Sequence, residues 1–226
     1  TSVRAVGSKC LKPGRGKGMT KIYYKDNWVR IYLGSCQQSI RIKPESVDLV
    51  LTDPVYNDFT HYELLVSLYP FLSPNAPLLV WSGVRFLDIV LDKLRQRYSY
   101  RGLFAFVNQT TGHMIGKMIN KTHFLIWVDK DQKSQMFDYL PNGYLSVGWG
   151  MEQKYHRWVQ NPKFISQAIV AFSKPNMLIL DPYMGSGTVA YCAKKLNRRF
   201  IGYELEENYC KMAAEKCSQG VFPLNM

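Results

Sequence analysis

The chain has 226 residues, 46% of them hydrophobic, with a formal net charge of +12 and a pI near 9.5. That length suits one α/β domain with a sizeable core; no apolar run is long enough to span a bilayer, and no signal peptide is visible. Five scattered cysteines without a Cys-x-x-Cys pair read as reduced thiols in an intracellular setting and argue against a structural zinc site, while the basic excess fits a polyanion partner, nucleic acid first, or a merely soluble basic protein.

Residues 1–20 carry Arg4, Lys9, Lys12, Arg15 and Lys17 among glycines. They read as a basic flexible arm, able to track phosphates or simply a floppy terminus. Residues 21–226 read as a single domain. Residues 21–33 predict a strand, with a hairpin around Asp26-Asn27, and Leu33-Gly34-Ser35-Cys36 leads into a short helix. Residues 46–52 have the composition of a fully buried parallel strand. That strand delivers Asp53 to the carboxyl edge, where open α/β sheets place ligands. A helix is expected over 61–72, stopping near Ser73-Pro74-Asn75. A strand follows at 78–81, then an amphipathic helix over 84–98 with Phe86, Ile89, Val90 and Leu94 on one face.

Residues 103–107 and 124–128 predict an antiparallel pair at the end of the sheet. The connection 110–121 reads as a loop that could lie beside a substrate. From 129 to 155 the period is lost, and polar, glycine and aromatic residues mix in what reads as a small insertion. Trp149, Tyr155, Arg157 and Trp158 could stack on bases or meet phosphates; equally, the aromatics could pack the loop onto the sheet. A helix is expected over 156–171 and a buried strand over 177–180.

Asp181-Pro182-Tyr183-Met184-Gly185-Ser186-Gly187-Thr188 then opens a helical pattern. Strand, glycine turn and helix place unpaired N–H groups where a ligand can approach closely. Residues 200–204 predict the next strand, ending on Glu204, an acid able to accept hydrogen bonds from ribose hydroxyls or simply a solvated strand end. Residues 208–217 predict a closing helix with Cys210 and Cys217 packed on one face. The spacing also satisfies a loose dinucleotide fingerprint, Gly185-x-Gly187-x-x-Ala190 with an acid about 20 residues further on. Two strand ends with an acid, a proline and an aromatic close behind, Asp53-Pro54-Val55-Tyr56 and Asp181-Pro182-Tyr183, count against that reading. His61, His113, His123 and His156 form no ligand spacing.

The two motifs together resemble those of the amino-group DNA methyltransferases. Residues 180–188, Arg199 to Glu204 and Asn208-Tyr209 resemble their S-adenosylmethionine half, and Thr52-Asp53-Pro54-Val55-Tyr56-Asn57 resembles their catalytic loop. Catalytic loop first and cofactor glycines last is the order of the β-group, and the resemblance covers residues 31–217. It implies a doubly wound, mostly parallel α/β sheet of the seven-stranded Rossmann-like type, with helices on both faces. It implies S-adenosyl-L-methionine as cofactor and no metal. The cofactor would be held by Ser35, Cys36, Asp53, Asp181, Tyr183, Gly185, Ser186, Gly187, Thr188 and Glu204.

The reaction implied is methylation of an exocyclic amino group in DNA after base flipping. Asp53 and the backbone carbonyl of Pro54 would accept the amino hydrogens and Tyr56 would stack on the base. Read without the resemblance, Asp53 could equally cap the next helix. An acid in the position of Asp53 accompanies adenine N6 more often than cytosine N4 in the family, which favours N6-methyladenine. Lys117, Lys121, Arg157 and Trp158 are candidate nucleic-acid contacts. The sequence departs from the family pattern at Val55, where a second proline is usual, and at Ser35, where an acid is usual. Cytosine-N4 or RNA methylation, a catalytically idle nucleic-acid-binding or partner subunit, and a nicotinamide enzyme are the alternatives. DNA is the expected partner, with a homodimer or a second specificity subunit possible and no membrane. The setting expected is the cytoplasm or nucleoid.

Overall fold

The structure, a computed structural model, describes residues 20–37, 40–55, 60–107, 113–115, 118–120, 122–131, 133–138, 145–146 and 162–219. Tyr56, Lys117, Lys121, Trp149, Tyr155, Arg157 and Trp158, and the basic arm up to residue 19, lie outside the described residues. In chain order the elements are β1 (Lys21–Lys25), β2 (Val29–Leu33), β3 (Leu49–Thr52), α1 (Thr60–Ser67), β4 (Pro77–Gly83), α2 (Leu87–Leu94), β5 (Ser99–Val107), β6 (His113–Ile115), β7 (Met118–Asn120), β8 (Thr122–Asp129), β9 (Leu145–Ser146), α3 (Pro162–Phe172), β10 (Leu178–Asp181), α4 (Thr188–Lys195), β11 (Arg199–Glu204) and α5 (Glu207–Ser218).

The sheet runs β1-β2-β11-β10-β3-β4-β8-β5-β9. From β2 to β4 all neighbours are parallel, and β8 and β5 follow as an antiparallel pair. The seven strands from β2 to β5 are the expected sheet. β1 extends it by the hairpin at Asp26, and the two-residue β9 adds to the far edge. The hairpin forms because the Asp26 carboxylate accepts the N–H groups of Trp28 and Val29, at 2.8 and 2.7 Å, which folds the chain back on itself. The Lys194 ammonium, 2.5 Å from the same carboxylate, ties the turn to α4.

β3 and β10 are buried along their whole length, as their uninterrupted apolar runs dictate. Two cores result. Phe164, Ile169, Val189, Ala193, Cys210 and Ala213 from α3, α4 and α5 pack on Leu49, Leu51 and Leu79. On the opposite face Tyr62, Leu65, Val90 and Leu94 from α1 and α2 pack on Val50, Leu78 and Val80. Each fully buried leucine of these layers contributes about 2 kcal/mol. Helices on both faces make the sheet doubly wound. Among the described residues no helix is long and apolar enough to cross a membrane.

Several elements differ from expectation. The helix expected over 61–72 ends at Ser67 and continues as a 3-10 turn over Tyr69–Phe71, because Pro70 has no N–H to donate into a longer helix. The helix expected over 84–98 begins as a 3-10 turn, Val84–Phe86, and ends at Leu94, after which the Tyr98 hydroxyl bonds the Leu65 carbonyl. No helix follows Cys36 within the described residues, since Ser35 Oγ takes the Gln37 N–H in a side-chain turn. The connection expected as a loop over 110–121 contains the antiparallel pair β6 and β7.

The first part of the expected insertion is pinned to the amino edge of the sheet. Asp129, fully buried, accepts from Arg101 Nε, Trp127 Nε1 and the Ser134 N–H, and the Phe137 N–H reaches the Ala171 carbonyl. Residues 129–131 and 133–138 therefore stand at the end of the sheet opposite Asp53.

Candidate active site

Four adjacent parallel strands, β2, β11, β10 and β3, bring their carboxyl ends to one edge. The chain order reverses between β10 and β3, because β10 continues through α4 to β11 on one side while β3 continues through α1 to β4 on the other. A crevice opens at such a reversal. Ser35 and Cys36 follow β2, Glu204 ends β11, Asp181 ends β10 and Asp53 follows β3, so the residues singled out from distant parts of the sequence meet at one place. Pro54 is buried beside Asp53, and Val55 stands 56% exposed at the mouth.

Asp181 is the electrostatic centre. Its Oδ1 accepts the Thr52 hydroxyl at 2.7 Å and the Tyr183 N–H at 3.0 Å, joining the two central strand ends. Burial pushes its carboxyl up to about 7, and the negative charges of Asp53 and Glu204 add to the rise against the two hydrogen bonds. Thr52 escaped the sequence reading of the site. It stands next to Asp53 in the quoted motif, but its partner is set by which strands are neighbours.

The glycine turn is held from within. Gly185 (φ 54°) and Gly187 (φ 81°) are left-handed, and Gly187 opens α4. The Gly187 N–H bonds the Met184 carbonyl, and the Gly185 N–H bonds Glu204 Oε2 at 2.9 Å. Glu204 Oε1 takes the N–H groups of Leu205 and Glu206, at 2.7 and 2.9 Å. Glu204 is thus a tie between β11 and the glycine turn, and with three of about four acceptor positions used it has little left for a second ligand hydroxyl. Ser186 faces α5, its Oγ 3.4 Å from Lys216 Nζ, and Thr188 begins α4, buried.

Two assignments shift in detail. The Cys36 side chain lies in the core and burial pushes its thiol up to about 12, so any ligand contact there belongs to its backbone. The Tyr183 ring packs against the α1–α2 core, with its hydroxyl 2.9 Å from His61 Nδ1 on α1. Among the described residues no three His, Cys, Asp or Glu side chains are grouped to hold a metal ion.

The two glycines should respond differently to the same methyl group. A Cβ on Gly187 would stand 2.4 Å from Ala213 Cβ and 2.9 Å from Ala213 Cα, whereas one on Gly185 meets nothing within 4 Å. Gly187→Ala should cost about 3 kcal/mol or more from strain and overpacking, and Gly185→Ala about 1 kcal/mol from its φ alone. Urea unfolding of both variants checks this; equal losses would contradict the packing of α5 against the turn.

A family profile described as N6_N4_Mtase, DNA methylase, matches residues 92–215, more than half of the chain. The chain is 26% identical over 257 residues to the type II methyltransferase M2.LlaDCHI of Lactococcus lactis subsp. cremoris, covering 89% of this chain and 94% of that one. It is 36% identical over 243 residues to the type II methyltransferase M.HinfI of Haemophilus influenzae, covering 82% and 67%. Among solved structures it resembles the M1.HpyAVI–SAM complex, with a TM-score of 0.72, 24% identity and coverage of 84% and 99%. It also resembles the cytosine-N4-specific PvuII DNA methyltransferase, with a TM-score of 0.72, 17% identity and coverage of 91% and 90%. The chain belongs to the N6-adenine and N4-cytosine DNA methylase family.

Proposed function

We propose that the protein transfers the methyl group of S-adenosylmethionine to an exocyclic amino group in DNA, adenine N6 in the first place. The observation that carries the cofactor choice is the state of the glycine turn. The N–H groups of Gly185 and Gly187, which a pyrophosphate would need, are already bonded to Glu204 and Met184. Three carboxyl groups, Asp53, Asp181 and Glu204, surround the same edge. A dinucleotide would bring two negative charges against them. The sulfonium and ammonium of S-adenosylmethionine would bring positive charge, which such a site favours. The solved relative in complex with the same compound supports this choice.

In the proposed reaction the amino nitrogen attacks the sulfonium methyl in line with the departing sulfur. Asp53 and the Pro54 carbonyl accept the amino hydrogens and draw the nitrogen lone pair out of the ring. Tyr56 would hold the flipped base by stacking. Asp181, Thr188 and the backbone of 183–187 would line the methionine end of the cofactor, with Ser35 and Cys36 at the adenine. The type II relatives support DNA as the substrate. Lys117, Lys121, Arg157 and Trp158 are proposed DNA contacts.

The test is nucleoside mass spectrometry of unmethylated DNA and of RNA after incubation with protein and S-adenosylmethionine. N6-methyladenine in DNA is the expected product. N4-methylcytosine would keep the site chemistry and overturn the choice of base, and product in RNA alone would overturn the choice of polymer. No methylated base, with cofactor bound, would favour an idle or partner-dependent subunit.

A further inference from the structure

The Tyr183 hydroxyl and His61 Nδ1 lie 2.9 Å apart, and their rings meet edge to face at 4.8 Å. The same hydroxyl is 3.4 Å from the His61 carbonyl. Tyr183 belongs to the turn after β10 that the cofactor is proposed to occupy. His61 sits in the first turn of α1, eight positions beyond Asp53 on the connection leaving β3. The family resemblance makes Tyr183 a cofactor contact, and His61 has no role in it. A tyrosine in the turn does not need its hydroxyl for packing, since the ring alone fills the space against the α1–α2 core. The hydroxyl bridges two segments 122 positions apart in sequence, one proposed for each substrate.

Another tie between these segments lies deeper. Thr52 bonds Asp181 beneath the crevice, inside the sheet, and cannot report on the position of α1. Tyr183 and His61 are both half-buried at the rim.

We infer that the Tyr183–His61 pair is a clasp by which the cofactor turn positions the first turn of α1, the helix that follows the Asp53-Pro54 motif, for methyl transfer. The inference rests on the methyltransferase reading above. A cofactor bound against residues 183–188 holds Tyr183, and Tyr183 holds the start of α1, the first described element after Asp53 and Pro54. Tyr183 and His61 are positioning residues; neither needs to touch the reacting atoms.

The experiment uses the full chain and the variants Tyr183→Phe, His61→Ala, His61→Asn and Tyr183→Phe/His61→Ala. Turnover is measured on DNA, and amide hydrogen exchange of residues 60–67 is measured with and without S-adenosylhomocysteine. In the unaltered chain the added nucleoside should slow exchange in α1. Tyr183→Phe and His61→Ala should each lower kcat about tenfold, the order of one lost hydrogen bond, with KM for S-adenosylmethionine within about twofold. The double variant should be no slower than the slower single, since one bond is lost in all three. His61→Asn, which returns an amide able to accept or donate close to the position of Nδ1, should recover most of the rate.

In Tyr183→Phe the nucleoside should still bind but no longer slow exchange in α1. A raised KM with kcat intact would overturn the clasp and make Tyr183 a cofactor contact. Additive losses in the double variant, or exchange in α1 that quickens equally with and without nucleoside, would overturn it as well. Failure of the underlying reading looks different: the unaltered chain would then yield no methylated base and show no protection by the nucleoside.

Discussion

Replacing Asp53 by alanine is expected to lower turnover by about 10³-fold while changing the affinity for S-adenosylmethionine by about tenfold at most. Asp53 follows the last residue of β3 and is only partly buried, so its loss opens no cavity in either core. Its charge is felt by Asp181 and by Tyr62, which places it inside the crevice rather than in bulk solvent. In the proposed reaction its carboxylate is the acceptor that makes the amino nitrogen nucleophilic. Removal of an acceptor or proton-handling group of this kind removes roughly 10²- to 10⁴-fold of rate. The cofactor side keeps Asp181, the glycine turn and Glu204, which explains the smaller effect on affinity.

Asp53→Asn separates charge from hydrogen bonding. The amide oxygen can still accept an amino hydrogen, so the loss should be smaller, about 10- to 10²-fold. Single-turnover rates on DNA, set beside calorimetric affinities for S-adenosylmethionine, give both numbers. Turnover in Asp53→Ala close to that of the unaltered chain would remove Asp53 from the reaction and return it to the alternative of a helix cap. An equal fall in rate and affinity would make it a cofactor ligand alone.

The sequence revealed this site unevenly, and the reason lies in what each feature depends on. Leu49 to Thr52 and Leu178 to Asp181 announce buried parallel strands because both of their faces are covered, so the apolar run is continuous. Asp26 announces its hairpin because the bonds that make the turn are local. Strand order is not local. That Thr52 meets Asp181 follows from β3 lying beside β10, 129 positions away, and no periodicity in either segment encodes it. Glu204 reads as a ribose ligand because it ends a strand after a glycine turn. Its three backbone N–H partners depend on how the chain bends at Leu205 and where Gly185 comes to rest. His61 was passed over because a lone histidine has no pattern. Its meaning comes from Tyr183, and only the packing of α1 beside the β10 turn brings the two together.

Asp181→Asn is expected to make the protein more stable and a poorer binder of its cofactor, with the gain in stability growing as pH rises. The Asp181 carboxyl is fully buried and raised to about 7, against an ordinary value of about 3.9. Near pH 4 the folded chain holds this proton and the unfolded chain loses it only in part, so the group costs little. As pH rises towards 7 the unfolded carboxyl is ionised while the folded one still resists, and stability falls. Above about 7 the penalty is complete, at roughly 4 kcal/mol. Asparagine carries no such penalty. The Thr52 hydroxyl and the Tyr183 N–H both donate to the same oxygen, Oδ1, so an amide oxygen in its place keeps both bonds. The variant should therefore melt about 10 °C higher than the unaltered chain at pH 8, with the difference closing towards pH 4.

The cost should appear in binding. A cationic cofactor favours the ionised carboxylate, so S-adenosylmethionine affinity should fall about tenfold in the variant at pH 8, as expected for loss of one charge-assisted contact. In the unaltered chain, binding at pH 7 should release a fraction of a proton, visible by calorimetry in two buffers of different ionisation enthalpy and absent in Asp181→Asn. A stability gain that is the same at every pH would mean that the carboxyl is ionised throughout, and an unchanged affinity would mean that its charge serves the fold and not the ligand. The two outcomes expected together, a more stable protein and a weaker site, would identify Asp181 as a charge kept at the expense of stability so that positive charge can be drawn to the strand ends.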